Sequence, residues 1–429
     1  MANTKLTRTA GTPTNNSKWT VSVWLKRASL AGDDFILDGY VSANDRFKLA
    51  FQSANKLEIW NSNGGSDDAK LDSPRVFRDT NAWYHIVLSM DATLSTAADR
   101  FKLYVNGTRE TEFGSNINPP QNSTEFVVNQ NGATISIGDY YGGSNAYDGC
   151  MSHFHFIDGT AYDASAFGST DSTTGEWKIN TSPSVTYGNN GFFIFKDNAS
   201  VTDQSGNSNN FTVSSGTLTQ TEDCPSNVFA TLNPLDVDTG SSNTFSNGNL
   251  SLVTNGNGSR STLAANSGKF YAEVKMSTNG VMNGVQDMSK RITANTGTVL
   301  LLPSGATLYV AGSTTSYGSA WSANDIMQIA MDLDSATKKV YFGKDGQWWN
   351  GSAFANATPH TGTTLSDDTF YGFRCDSGVA TPTSDWNFGN GFFGTTAISS
   401  EGSNASGIGK FEYDVPAGYT ALSTKGLNE

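Results

Sequence analysis

The feature that most limits this chain is a two-residue alternation of apolar and polar side chains, repeatedly interrupted by turn-forming residues. Trp19–Lys26 reads W-T-V-S-V-W-L-K, Trp83–Met90 reads W-Y-H-I-V-L-S-M, and Ser267–Met276 reads S-G-K-F-Y-A-E-V-K-M. Neighbouring side chains of a strand point to opposite faces, so each stretch predicts a strand with one buried face. Asn106-Gly107 after Phe101–Val105, and Asp345-Gly346 after Lys339–Gly343, are tight-turn signals that set hairpin registers. Asn, Ser, Thr and Gly supply most of the polarity, and they favour turns over long helices. An all-β chain is expected, with two antiparallel β-sandwich modules in series.

Only 16% of the residues are charged and 37% are hydrophobic, and 25 Phe, 15 Tyr and 9 Trp can fill cores. That is not the composition of a disordered chain. The net charge of -13 argues against a nucleic-acid partner, which needs clustered Lys and Arg. No apolar run is long enough for membrane insertion as a helix. The amino terminus, M-A-N-T-K-L-T-R-T-A, lacks the apolar stretch of a signal peptide, so synthesis in a cytoplasm without cleavage is expected. Cys150, Cys224 and Cys375 are far apart and form no zinc-ribbon spacing. They read as reduced structural thiols, with a Cys150–Cys224 bridge left open.

In the first half, the order Trp19–Trp24, Trp83–Met90, F-K-L-Y-V-N-G-T at Phe101–Thr108, I-S-I-G at Ile135–Gly138 and D-G-C-M-S-H-F-H-F-I-D-G at Asp148–Gly159 resembles laminin-G-type domains. The resemblance covers about residues 15 to 160 and implies a concanavalin-A-like jelly roll. Gly191–Lys196 and Phe211–Val213 are expected to return and finish that sandwich, giving a first domain of residues 1–220. Pro225 and Pro234 mark 221–240 as a linker.

The second half, 241–429, resembles SPRY domains. Its landmarks are G-K-F-Y-A-E-V at Gly268–Val274, M-Q-I-A-M-D-L-D at Met327–Asp334, V-Y-F-G-K-D-G at Val340–Gly346, W-N-F-G at Trp386–Gly389 and A-G-Y-T-A-L-S-T-K-G at Ala417–Gly426. Ala272 stands where that family commonly has Trp, Gln328 replaces a Gly, and Met282–Ala320 reads as a long insertion. Trp348 and Trp349 are expected on opposite faces of a strand, one in the core and the other toward solvent or a partner.

No catalytic constellation is legible. The E-x-D-x-x-E strand of laminarinase-like enzymes is absent, as are G-x-S-x-G, H-E-x-x-H and a P-loop. Asp332 and Asp334 read as turn-formers. His153 and His155 share a face but lack a third metal ligand, and His85 reads as a satisfied polar group in an apolar strand. Asp139, Asp148 and Asp158 could supply oxygen to calcium, though their spacing matches no fixed loop. No other cofactor is implied.

The pairing of the two module types resembles structural proteins of tailed phages, particularly marine ones. It implies a non-enzymatic virion protein, such as a tail-fibre or surface-fibre component aiding host attachment through glycan. Capsid decoration or a tail adaptor binding other virion proteins is the alternative, and a carbohydrate-active enzyme is a weaker one. Homo-oligomers are expected. The candidate ligand or partner surface is Tyr140, Tyr141, Asn145 and Tyr147 in the loop D-Y-Y-G-G-S-N-A-Y, with Trp348 and Trp349.

Overall fold

The computed structural model describes residues 4–197, 199–318, 321–365, 369–377 and 383–428. Helix among them is limited to short 3-10 turns such as Val127–Asn129. The chain divides into two compact units, Met1–Gln220 and Thr221–Glu429.

In the first unit, one eight-stranded sheet runs in the order Ser115–Ile117, Ser66–Val76, Lys56–Asn63, Asp45–Phe51, Asp34–Ser42, Thr134–Ile137, Lys5–Thr9, Thr212–Ser215. A six-stranded sheet runs Phe192–Ile194, Gly149–Asp158, Lys18–Arg27, Trp83–Asp91, Phe101–Val105, Thr108–Arg109. All these pairings are antiparallel. The alternation works as expected: Trp19, Val21, Val23 and Leu25 join one buried cluster with Phe47, Leu49, Ile86, Leu88 and Phe101. Trp19 is its hub, meeting Phe47, Phe101 and Phe126 at 5.7, 5.8 and 5.9 Å in edge-on contacts. Aromatic pairs of this geometry add to the value of the buried area. Phe192–Ile194 and Thr212–Ser215 each extend a sheet of this sandwich.

One stretch of the first unit departs from simple strand alternation. Segment 160–187 lies on the outer face of the six-stranded sheet. Its Ala164 and Phe167 pack with Val87 and Ile157, joined by Tyr162, Trp177, Val185 and Tyr187.

In the second unit, a seven-stranded sheet runs Leu232–Val237, Ser259–Ser261, Tyr371–Ser377, Val281–Asp287, Thr298–Leu302, Thr307–Val310, Ser313–Ser316. The facing ten-stranded sheet is centred on Lys269–Met276, Ile326–Asp332 and Lys339–Lys344. Two expectations are corrected here. Residues 221–240 are not a linker: Phe229, Ala230 and Leu232 are buried in this unit, and Leu232–Val237 pairs with Ser259–Ser261. Pro234 is accommodated because that strand lies at the sheet edge and its register shifts between Leu232 and Val237. Likewise Met282–Ala320 is not an insertion. It supplies nearly all of the four strands from Val281 to Ser316, out of seven in that sheet. Its last two residues, Ser319 and Ala320, lie outside the described residues.

Trp348 and Trp349 do point to opposite faces, but neither reaches solvent. Trp349 enters the core between the sheets, stacked on Tyr317 at 4.6 Å. Trp348 lies in a second apolar cluster with Phe229, Tyr271, Phe411, Val415 and Tyr419, formed where the C-terminal segment folds over the ten-stranded sheet. A second layer on the outer face buries the residue that strand parity alone would expose.

Glu273 ties that layer down. Its carboxylate is fully buried and accepts from the backbone N–H of Glu412 and Tyr413 at 2.9 and 2.8 Å, from the Tyr271 hydroxyl at 2.9 Å and from Asn387 Nδ2 at 3.3 Å. Burial pushes its pKa up to about 7, against the pull of those donors. Glu273→Leu strands these donors without an acceptor and is expected to cost about 3 kcal/mol. Denaturation of the full chain should show a lower midpoint for the second unit, with fast amide exchange at Glu412 and Tyr413. Unchanged exchange there would show that the carboxylate is not the anchor.

Candidate functional site

The loop from Gly138 to Asp148 folds around a single carboxylate. Buried Asp139 accepts from the backbone N–H of Tyr140 at 2.8 Å, Asn145 at 3.0 Å and Ser144 at 3.2 Å. The Phe35 N–H donates to the Asn145 carbonyl at 3.0 Å, and Tyr147 N–H to the Gly138 carbonyl at 2.8 Å. The loop is thereby fixed against the strand Asp34–Ser42.

This arrangement separates the four loop residues expected to form a surface. Tyr141 is 48% exposed. Its ring stacks on Tyr40 with centroids 3.8 Å apart and planes 5° from parallel. Tyr140 is half-buried and leans on Phe35 at 5.3 Å. Asn145 is half-buried, and its backbone is committed to Asp139 and Phe35. Tyr147 is not part of a surface. It is fully buried in the sandwich core and donates its hydroxyl to the Lys26 carbonyl at 2.8 Å. With Trp348 and Trp349 also buried, the accessible part of the candidate set is Tyr140, Tyr141 and Asn145.

The structure adds residues that the loop sequence alone did not suggest. Asp38 and Tyr40 face outward from their strand, and cross-strand pairing sets Lys48 beside Asp38 and Arg46 beside Tyr40. Arg46 Nη2 bonds Asp38 Oδ1 at 3.1 Å, and its guanidinium lies 5.6 Å from the Tyr140 ring and 6.0 Å from the Tyr40 ring. Asp38 also accepts from the Tyr141 N–H at 2.9 Å. Burial raises the Asp38 pKa, with Arg46 opposing. Farther along the same face, Trp60 stands opposite Lys48, and Glu58 pairs with Lys48 and Lys70. The result is an aromatic platform edged by paired charges on the outer face of the eight-stranded sheet. The D-G-Y alternation at Asp38–Tyr40 is the signal that could have found it.

Three of the four histidines lie on the other sheet, with His85 and His155 beneath segment 160–187. His85 is fully buried between Ser22 Oγ at 2.9 Å and Trp177 Nε1, which donates to His85 Nδ1 at 2.9 Å, and its ring stacks on Trp24. His155 Nδ1 meets the Tyr187 hydroxyl at 2.9 Å, and His153 pairs with Ser152 at 2.8 Å. A register shift between Ser152 and His155 accompanies the left-handed backbone of His153. The reading of His85 as a satisfied structural group holds. Asp158 is likewise spent on structure, accepting from Thr14, Asn15 and Asn190 N–H and from Asn129 Nδ2. Asp148 is held up by burial. Among the described residues no group of three or more His, Cys, Asp or Glu is placed to hold a metal ion. No disulfide joins the three cysteines, so the bridge left open between Cys150 and Cys224 does not form.

Residues 2–165 match the family model of the Concanavalin A-like lectin/glucanases superfamily. The two-sheet antiparallel strand order of this part agrees with that match. Among solved structures, a heptameric SAP-like pentraxin from Limulus polyphemus is 17% identical, covers 37% of this chain and 71% of its own, and has a TM-score of 0.27. The SPRY domain of human HERC1 is 14% identical over 36% of this chain and 96% of its own, with a TM-score of 0.28. The CBM40 of Ruminococcus gnavus IT-sialidase bound to α2,3-sialyllactose is 18% identical over 32% and 72%, with a TM-score of 0.24. These scores carry no argument, and the second unit's sandwich rests on its own strand order. No curated protein matches the chain.

The buried imidazoles set a pH dependence. Burial lowers His85 to about 3 and His153 to about 4, and holds His155 well below the usual 6.5. Each stays neutral in the fold and takes up a proton on unfolding. Their contribution to stability is full above about pH 6.5 and drains as pH falls toward 4. Asp34, pushed up to about 6, works in the opposite sense and offsets part of the loss. The double change His155→Phe with Tyr187→Phe should flatten the acid limb of unfolding free energy against pH by about one proton. An unchanged slope would remove His155 from the account.

Proposed function

We propose that the chain is a non-catalytic recognition protein whose first unit binds glycan on the outer face of its eight-stranded sheet. The observation that carries this reading is the stacked Tyr40–Tyr141 pair, exposed on one side and braced by the Asp38–Arg46 ion pair. An exposed aromatic face suits the apolar face of a sugar ring, and neighbouring amide and charged groups suit its hydroxyls. The match of residues 2–165 to a lectin-containing superfamily supports the same class of ligand. Binding without cleavage is supported by the platform's carboxylates. Asp38 is bound to Arg46 and Glu58 to Lys48 and Lys70, so neither stands as a free acid–base pair.

The proposed setting is the surface of a tailed-phage virion, as a tail-fibre or surface-fibre component in several copies. That placement rests on the sequence resemblance of the paired modules. Decoration of the capsid, or an adaptor contact with other virion proteins, is a second reading. It is favoured by the Lys48–Glu58–Lys70–Asp72 ladder on the same face, a charged patch suited to a protein partner.

Glycan-array binding of the full chain tests the leading reading. Tyr141→Ala is expected to weaken the best glycan about tenfold, about 1.4 kcal/mol, with an unchanged melting midpoint because the ring is half exposed. Wild-type binding that is indifferent to Tyr141→Ala would move the site elsewhere. Localising the chain on intact particles by cryo-electron microscopy separates a fibre tip from a capsid face.

A further inference from the structure

The ten-stranded sheet is covered by the C-terminal segment, but no apolar cluster of described residues covers the outside of the seven-stranded sheet. There the register sets Tyr309, Leu300, Gly284 and Arg374 in one cross-strand row, with Met282 beside Asp376 in the next. Gly284 lets its strand approach closely: an added Cβ would stand 2.1 Å from the Val299 carbonyl oxygen. Met282, Leu300, Tyr309, Arg374 and Asp376 of this face line a cleft of about 290 Å³, walled by loop residues Gly256, Asn257, Asn295 and Gly312.

The polar groups of this cleft are held in place. Arg374 is almost wholly buried. Its Nη2 bonds Asp376 Oδ2 at 2.5 Å and Asn257 Oδ1 at 3.2 Å, and its Nη1 reaches Thr298 Oγ1 at 3.3 Å. Its Nε is buried without a hydrogen-bond partner. Asn257 is fixed in turn by Asp238 at 2.9 Å. The Arg374–Asp376 pair is taken out of water, and desolvation offsets much of its attraction. Its stronger justification is a ligand.

We infer that this cleft is a second binding site, separate from the tyrosine platform, for a neutral saccharide of one or two rings. Arg374 and Asp376 cancel in charge, so neither a free anion nor a free cation gains from both. A hydroxyl both donates and accepts, and can therefore use the Asp376 carboxylate and the Asn257 and Asn295 amides together. Met282, Leu300 and the ring of Tyr309 give the apolar surface that a pyranose face needs. The volume is at the small end for ligand sites, which limits the occupant to about two rings.

The test is saturation-transfer NMR on the full chain with cellobiose, maltose, lactose and N,N′-diacetylchitobiose. Transfer to at least one of them is expected, retained in Tyr141→Ala and lost in Met282→Trp, which fills the cleft. Tyr309→Ala should weaken the dissociation constant about tenfold. Asn295→Ala, at an exposed position, should weaken it without touching the fold. Melting midpoints confirm that each variant is folded. Absence of transfer to all four sugars overturns the inference. So does transfer lost in Tyr141→Ala but intact in Met282→Trp, which would leave only the platform. Displayed peptides that bind wild type but not Met282→Trp, with no saccharide signal, would also overturn it. Cleft binding that persists while Tyr141→Ala leaves glycan-array binding unchanged would sink the platform alone.

Discussion

A backbone amide that leaves a sheet still needs an acceptor, and in a chain almost without helix that need falls on side chains. Buried carboxylates meet it repeatedly here. Asp139 gathers three N–H groups of its loop, Asp158 gathers those of Thr14, Asn15 and Asn190, and Glu273 gathers Glu412 and Tyr413. Asp203 does the same for Phe193, Ser205 and Asn209. Asp158 and Glu273 thereby link segments far apart in sequence, and Asp139 and Asp203 shape their own loops. The acidic excess of the chain is thus partly structural: loops are rigid because carboxylates are buried under them. That rigidity is what allows a loop such as 139–147 to present Tyr141 in a defined pose.

The two units solve the same problem in parallel. Each has a core between two sheets, and each covers the outer face of one sheet with a further apolar layer. Segment 160–187 covers the histidine-bearing face of the first unit, and the C-terminal segment covers the Trp348 face of the second. The outer face of the remaining sheet carries paired charges in each unit, with stacked aromatic rings on the first. The covered faces explain the buried histidines, whose neutrality follows from lost water. The uncovered faces are where recognition has room to occur.

The strands and their alternation were legible because period-two patterning and Asn-Gly or Asp-Gly turns report local geometry directly. Asp332 was also legible as a turn-former: it accepts from Asp334 and Ser335 N–H, in place of chemistry. What parity could not report was a third layer. Trp348 points away from the core as expected, yet Phe411 and Tyr419 arrive from some seventy residues later to bury it. Tyr147 failed similarly, because the loop that exposes Tyr141 turns back into the sandwich within six residues. Tyr40 and Arg46 were missed because a platform joins strands and loop through pairing that no single stretch contains. Pro225 and Pro234 suggested a linker, but a proline at a sheet edge leaves pairing on the other side intact.

Electrostatics narrows what such faces can recognise. The chain carries -13 overall, so at long range it repels polyanions. At short range its two uncovered faces carry charges already matched: Arg46 with Asp38, Lys48 and Lys70 with Glu58, Arg374 with Asp376. A matched pair orients hydrogen bonds but exerts little net pull on a distant ion. Attraction at these faces must therefore come from ring stacking, shape and hydroxyl-sized hydrogen bonding, which act at contact and are little screened by salt. The glycans proposed for the two units are ligands of that kind, and the net charge disfavours a polyanion.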